Sequence, residues 1–321
     1  MKEKILELLY QHENNYLSGQ EISRLLGISR TAVWKHVKIL QQQGYCIETG
    51  HRRGYRLVRR QDLMLPGELR QELKTRWLGH SMVYMDTVSS TNLWAKENLM
   101  DLAHGTVVLA EEQTQGRGRL GKYWDSSKGD GIWMTLVLRP HLPMGEGAKI
   151  TQLAAAAMHQ ALIRLTNLPV KIKWPNDLLV DDRKICGILT EMTGELTRIE
   201  SLLVGIGVNV NQQSFTGEIQ KTAVSLAQLT GKKVSRIKLL EVFLQEFEKM
   251  FDDFVENDQY ESVLEIVRNN SSLLNQRINI FRGDDCLPAT AIQVHEDGRL
   301  EVQYDDGRQE LLSGGEVSIR R

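Results

Sequence analysis

The stretch Gln113-Thr114-Gln115-Gly116-Arg117-Gly118-Arg119-Leu120-Gly121-Lys122-Tyr123-Trp124 lies between two apolar runs. Gly116, Gly118 and Gly121 let the backbone approach a ligand and expose its N–H groups, and Arg117, Arg119 and Lys122 add positive charge. A phosphate or acyl-phosphate needs both. No Gly-Lys-Ser/Thr opens a helix here, so this is not a Walker A loop. The spacing and the following strand also exclude the dinucleotide fingerprint. On the glycines alone, a basic surface loop explains the segment equally well.

A second cluster, Lys171-Ile172-Lys173-Trp174-Pro175-Asn176-Asp177, runs on through Leu178 to Leu189. A strand enters a Pro-containing turn, and Asp181-Asp182-Arg183 folds the chain back on itself. That hairpin brings Asp177 near Lys184, a pairing able to stabilise an electrophile. Taken alone, the segment reads more simply as a surface hairpin with an ordinary ion pair. The third cluster, Gly205-Ile206-Gly207-Val208-Asn209-Val210-Asn211, ends a strand on two glycines and an amide.

The patterning around these clusters predicts strands at 82–85, 106–111, 132–138, 170–173, 185–192 and 201–208. Helices are expected at 67–75, 91–98 and 147–165. Helix-length and hairpin-length gaps both occur, which argues for a mixed sheet with packed helices and against a doubly wound parallel sheet. Farther on, helices at 237–255 and 259–269 precede short alternating strands at 277–281, 289–295, 300–304 and 310–312. Asp284-Asp285, Glu296-Asp297-Gly298 and Asp305-Asp306-Gly307 mark turns among them.

The first sixty residues read differently. A helix is expected over 2–12, with Ile5, Leu8 and Leu9 as its apolar stripe. The second starts at Ser18, with Glu21 in capping-box position, and stops at Gly27. The third is capped by Ser29 and turns Val33, Val37 and Leu40 inward. Its other face carries Arg30, Thr31, Trp34, Lys35 and Lys38, with Ser29 at its start. Two short strands follow, joined by a loop holding Arg52 and Arg53. This is the winged helix-turn-helix pattern, with a recognition helix for base edges and an arginine-tipped hairpin for phosphates or a minor groove. Such a module is expected to act as a dimer on DNA.

Charge follows the same division. The 321 residues hold 40 Lys+Arg and 41 Asp+Glu, a formal net charge of −1. Residues 1–60 alone hold eleven Lys+Arg and five Asp+Glu, a net of +6, leaving −7 on the rest. A basic segment on an acidic body fits a nucleic-acid reader joined to something else. A hydrophobic fraction of 41% excludes a disordered chain. No stretch of about 18 uninterrupted apolar residues suggests a membrane span. Cys46, Cys186 and Cys286 are too few and scattered for a disulfide framework or a zinc site, so bland thiols are expected. The N-terminus lacks the apolar core of a signal peptide, which predicts a cytoplasmic protein.

Together these segments resemble the biotin protein ligases of the bifunctional type that also represses biotin genes. The resemblance runs over most of the chain. It rests on Ser90-Thr91-Asn92, Gly116-Arg117-Gly118-Arg119, Lys173-Trp174-Pro175-Asn176-Asp177, Arg183 to Leu189, and Gly205-Ile206-Gly207-Val208-Asn209 in the family's order. It implies an α/β (α+β) chain of three domains. These are a winged helix-turn-helix over 1–62, a mixed-sheet ligase domain of class II synthetase-like type over 63–272, and a small SH3-like barrel over 273–321.

The resemblance also implies chemistry. Biotin and ATP, with Mg²⁺, give biotinyl-5′-adenylate and pyrophosphate. A lysine of a biotin carboxyl carrier protein then takes the biotin, and AMP leaves. By motif position, Ser90, Thr91, Asn92, Gln113, Arg117, Gly118, Arg119 and Lys184 belong to the biotin site. Arg119, Lys122, Trp124, Asn176 and Asn209 belong to the adenylate, with Trp124 covering the adenine. Lys184 and Arg117 stabilise charge during adenylation, and Asp177 positions or deprotonates the incoming lysine. Gly314-Gly315-Glu316 reaches back toward the nucleotide or acceptor.

The further partners implied are operator DNA of biotin genes, with biotinyl-adenylate as corepressor, and a second copy of the chain on ligand binding. No membrane and no set of protein metal ligands is expected, Mg²⁺ arriving with the ATP phosphates. Leu120 and Lys122 stand where relatives often carry arginine, and lysine cannot fork onto phosphate. Trp34 sits where a recognition helix is usually polar. A lipoate-type ligase and a ligand-sensing DNA regulator without ligase activity are the competing readings.

Overall fold

The computed structural model describes residues 1–12, 15–58, 62–195, 197–282 and 285–319. Arg59, Arg60 and Gln61, and Asp284 of an expected turn, lie outside them. The chain forms two compact units, Met1–Glu72 and Leu73–Arg321.

The first unit contains α1 (Lys2–Gln11), α2 (Gly19–Leu26), α3 (Arg30–Gln42), β1 (Ile47–Gly50), β2 (Gly54–Leu57) and α4 (Pro66–Glu72). Ser18 Oγ caps α2 by accepting from the Glu21 N–H at 3.1 Å. Gly27, at φ 64°, closes that helix. Ser29 Oγ caps α3 through the Ala32 N–H at 3.1 Å. Val33, Val37 and Leu40 are buried as the spacing predicts. On α1 the stripe is Ile5, Leu6, Leu9 and Tyr10, and Leu8 is only half-buried, correcting the expected Leu8. The helix is contacted on two sides, by α2–α3 and by β2 and α4, which widens its apolar face. Antiparallel β1 and β2 form the wing, with Ile47 opposite Leu57. This unit extends beyond residue 62 because α4 belongs to it: the Gly67 N–H donates to the Tyr45 hydroxyl at 2.9 Å.

The second unit is built on β3 (Met82–Val88), α5 (Thr91–Glu97), β4 (Thr106–Gln113), β5 (Gly131–Leu138), α6 (Gly147–Thr166), β6 (Lys171–Lys173), β7 (Asp177–Val180), β8 (Arg183–Glu195) and β9 (Arg198–Asn209). Helices α7 (Ile219–Thr222), α8 (Leu226–Thr230), α9 (Arg236–Asn257) and α10 (Glu261–Asn269) follow. The seven strands pair in the order β3-β4-β5-β9-β8-β7-β6. Only β3 and β4 run parallel, so the sheet is mixed, as the gap lengths predicted.

Burial explains the strand sequences. β5 is buried along its whole length and reads as a continuous apolar run, whereas edge strand β3 is only partly covered. The middle of α6, Leu153 to Met158, is fully buried. It packs against β8 and β9 and against α9, so it is apolar all round. Each buried leucine or valine of this layer contributes about 1.5–3 kcal/mol.

The remaining strands are β10 (Arg277–Arg282), β11 (Asp285–Val294), β12 (Leu300–Tyr304), β13 (Gln309–Leu312) and β14 (Glu316–Ile319). They form one antiparallel sheet in the order β13-β12-β11-β10-β14. β14 was not expected, and it closes the sheet edge beside β10. The sheet lies in the same compact unit as the central one. The Gly298 carbonyl accepts from Gln152 Nε2 at 2.6 Å and from the Trp174 indole at 3.0 Å. Arg268 Nε donates to the Val294 carbonyl at 2.9 Å.

All three cysteines are free. Cys186 is buried, and desolvation raises its thiol pKa, which keeps it unreactive. Cys286, by contrast, is exposed. Among the described residues, no helix is long and apolar enough to cross a membrane.

Candidate active site

A cavity of about 430 Å³ opens over the strands β5, β9, β8 and β7. The glycine loop, the start of α5 and the Gly315–Val317 end of the C-terminal sheet form its other walls. The expected site residues Ser90, Thr91, Asn92, Gln113, Arg117, Gly118, Arg119, Lys122, Trp124, Asn176, Asp177, Lys184 and Asn209 all line it.

One end is a hydrogen-bonded amide cluster. Ser90 begins α5, with its Oγ accepting from the Leu93 N–H at 3.5 Å. Thr91 N–H donates to Gln113 Oε1 at 2.8 Å, and Thr91 Oγ1 lies 3.1 Å from the same oxygen. Gln113 Nε2 donates to Ser126 Oγ at 2.9 Å, and that hydroxyl donates to the Trp124 carbonyl at 3.1 Å. The Asn92 amide donates to the Leu189 carbonyl at 3.2 Å and to Glu191 Oε2 at 3.0 Å. Thr135 Oγ1 lies 2.6 Å from Asn92 Oδ1. Asn92 fits there because β9 carries Gly205, where a Cβ would come within 2.3 Å of Asn92 Oδ1.

The other end is cationic. Hairpin β7–β8 sets Lys184 Nζ 2.6 Å from Asp177 Oδ1. The same ammonium sits 5.0 Å from the centre of the Trp124 ring, within cation–π range. Trp124 rests on the β9 floor, where a Cβ at Gly207 would meet the indole nitrogen at 2.4 Å. Among the described residues, its buried indole N–H has no hydrogen-bond partner. Packing against a strand that lacks a side chain at 207 draws it inward.

The loop has its own fold. Arg117 pairs with Tyr123 and Gln113 with Ser126 as antiparallel bridges, and the Gly118 N–H donates to the Lys122 carbonyl at 2.7 Å. Arg117 and Lys122 are exposed on it, and Leu120 is exposed at its tip. Arg119 turns inward and donates to Asn176 Oδ1 at 3.2 Å, while the Asn176 amide donates to the Ile188 carbonyl at 2.7 Å. Asn209 Nδ2 donates to the Lys184 carbonyl at 3.2 Å, linking the ends of β8 and β9. Sequence reasoning missed Ser126, Thr135 and Glu191. All three join the cluster through strand pairing, which leaves no local signature.

The first unit carries the second candidate surface. Ser29, Arg30, Thr31, Trp34, Lys35 and Lys38 are all exposed on α3, and Arg52 and Arg53 are exposed on the wing. Arg53 lies 5.0 Å and Arg56 4.8 Å from the Tyr16 ring centre, so one aromatic ring props two wing cations. Trp34 is 51% exposed, so it belongs to this surface and not to the core.

Known proteins share both halves. Residues 83–211 match the biotin/lipoate A/B protein ligase family, and residues 2–56 match a helix-turn-helix domain family. The bifunctional ligase/repressor BirA of Bacillus spizizenii is 42% identical over 319 residues, covering 98% of this chain and 97% of that protein. The protein of the same name from Escherichia coli is 27% identical, covering 99% of this chain and 96% of its own. Among solved structures, the biotin protein ligase of Aquifex aeolicus in complex with biotin and ATP superposes with a TM-score of 0.65 at 27% identity. It covers 75% of this chain and 99% of its own. With full-length similarity of this order and both domains present, the chain belongs to the bifunctional ligase/repressor family of biotin protein ligases.

Proposed function

We propose that this protein activates biotin with ATP, transfers it to a lysine of a biotin carboxyl carrier protein, and represses biotin genes as a DNA-binding dimer. The observation that carries the reading is one cavity that joins amide and hydroxyl side chains to Lys184, Arg117, Arg119 and Lys122. Adenylation joins two anions, and those cations offset their repulsion while holding them in line.

A carboxylate oxygen of biotin attacks the α-phosphorus, and the bond to pyrophosphate breaks. Lys184 and Arg117 stabilise the charge on the carboxylate and phosphate oxygens. Ser90, Thr91, Asn92, Gln113 and Gly118 hold the biotin. Trp124, Asn176, Asn209, Arg119 and Lys122 hold the nucleotide, the indole serving as a wall for adenine. In the second step the carrier amine attacks the acyl carbon, the acyl–phosphate bond breaks, and AMP leaves. Asp177 positions that amine and takes its proton.

Among the described residues, no group of three or more His, Cys, Asp or Glu could hold a metal. Asp177 is already paired with Lys184. Mg²⁺ would come as part of the nucleotide complex, which needs few protein ligands.

Repression uses the α3 face and the wing, with biotinyl-adenylate as corepressor. The adenylate orders the loop from Gly116 to Gly131 and favours dimerisation. The cytoplasm is the compartment that holds both ATP and operator DNA.

The decisive experiment incubates the purified chain with Mg²⁺, ATP, labelled biotin and a carrier domain. Label on the carrier lysine is expected, and excess lipoate should not compete. Absence of transfer with active carrier present sinks the enzyme reading.

A further inference from the structure

We infer that Glu191 is a specificity-determining positioning residue, fixing the proton polarity of the hydrogen bonds around the ring of the acyl substrate. The inference rests on the reading that the amide cluster holds biotin. Glu191 lies on β8 and does not line the cavity. It acts through Asn92.

The bookkeeping is forced by group chemistry. Glu191 Oε2 and the Leu189 carbonyl are both acceptors, so the –NH₂ end of Asn92 must face them, at 3.0 and 3.2 Å. Asn92 Oδ1 then faces Thr135 Oγ1 at 2.6 Å. An amide oxygen cannot donate, so the single Thr135 proton goes to it. Thr135 Oγ1 is also 2.9 Å from Thr91 Oγ1, which is 3.1 Å from Gln113 Oε1. Two hydroxyl protons thus serve three contacts. The Thr91 proton is spent on Thr135 or on Gln113. Gln113 Oε1 is oriented by the Thr91 N–H, while its amide end is committed to Ser126.

The consequence reaches the cavity. Thr91 and Gln113 both line it, and with the Thr135 proton on Asn92 neither lone pair of the Thr91 hydroxyl is taken up by Thr135. Thr91 Oγ1 is therefore an acceptor on that wall. A cyclic urea brings two N–H donors to it, whereas a dithiolane ring brings none. Buried acceptors left unpaired would oppose the second ligand. A reversed Asn92 amide would weaken this, because its –NH₂ would face Thr135 and release the Thr135 proton to a Thr91 lone pair, leaving one fewer acceptor for the ligand. The Glu191 anion is what makes reversal costly. Lys96 Nζ stands 3.8 Å from the other carboxylate oxygen.

The test measures biotin binding to the full chain by titration calorimetry and the KM for ATP by pyrophosphate release. Glu191→Leu removes the acceptor, and biotin should bind about 10- to 100-fold more weakly with the KM for ATP within about twofold. Glu191→Gln keeps an acceptor oxygen and should return binding to within about threefold of the wild type. Thr135→Val removes the donor. In a double-mutant cycle its effect and that of Glu191→Leu should be strongly non-additive, although the two side chains act only through Asn92. Unchanged biotin affinity in Glu191→Leu, or additive losses in the cycle, would overturn the inference while leaving the ligase reading intact. If the wild-type chain binds no biotin, the ligase reading fails and takes the inference with it.

Discussion

Lys184 and Asp177 meet at 2.6 Å across the β7–β8 hairpin, inside the cavity that also holds the glycine loop. The contact keeps the ammonium beside Trp124, 5.0 Å from its ring. The two residues should separate the half-reactions. Lys184→Ala should slow pyrophosphate release by about 100- to 1,000-fold, the scale for losing one charge-stabilising donor. Asp177→Asn should still form adenylate but transfer it poorly to the carrier lysine. Single-turnover assays of each step, with equal losses in both, would refute the division.

The Trp124 indole depends on glycine at 207. A methyl group there would stand 2.4 Å from the indole nitrogen. Gly207→Ala should therefore push the ring off the sheet and raise the KM for ATP about tenfold, from an overpacking cost of about 1–3 kcal/mol. Biotin affinity should change little, because the Gln113–Asn92 cluster lies at the other end. Indole fluorescence read together with ATP titration checks this, and an unmoved KM for ATP would count against the adenine wall.

The α3 face and the wing should behave as an electrostatic surface. Lys35→Ala and Arg52→Ala should each weaken operator binding, and each lost phosphate contact should reduce the slope of log K against log salt by about 0.9. Ligase activity should be unaffected, since the cavity lies wholly in the second unit. Binding isotherms at several salt concentrations measure the slope. A loss of ligase activity in either variant would contradict the separation.

His159, buried on α6, should make stability depend on pH. Its Nε2 pairs with the Val170 carbonyl at 3.1 Å, and its buried Nδ1 has no hydrogen-bond partner among the described residues. Desolvation holds its pKa below the ordinary 6.5, so the folded state binds this proton less readily than the unfolded one. The sign follows: the stabilisation is present above the unfolded value and is lost as pH falls below about 6.5. Each extra proton taken up on unfolding gives a slope of about 1.4 kcal/mol per pH unit. His159→Gln, whose amide can still donate to Val170, should flatten that slope in urea melts between about pH 5 and 7. An unchanged slope would exclude His159 as the source.

What could be read from the sequence was what neighbours in the chain decide. Ser18, Gly27 and Ser29 mark helix ends because caps and stops form within one turn. Asp177 and Lys184 could be paired on paper because a tight hairpin leaves few registers. The acidic body and basic head were plain from composition, as was the glycine loop with its three cations. Leu8 was misplaced on α1 because periodicity names a stripe without saying how many neighbours cover it. β14 was missed because a four-residue strand has no pattern apart from the β10 edge it joins.

Only the tertiary structure could decide the Asn92–Glu191 contact and the seat of Trp124 against β9. Asn92 and Glu191 are 99 positions apart, and they meet because β8 pairs with β9 and α5 packs over that sheet. Strand register decides which side chains share a face, and a slip of one residue would turn Glu191 away. Helix starts, charge and motif order are local and survive in a linear string. The polarity of a buried hydrogen-bond network depends on distant acceptors, and it exists only once the sheet has formed.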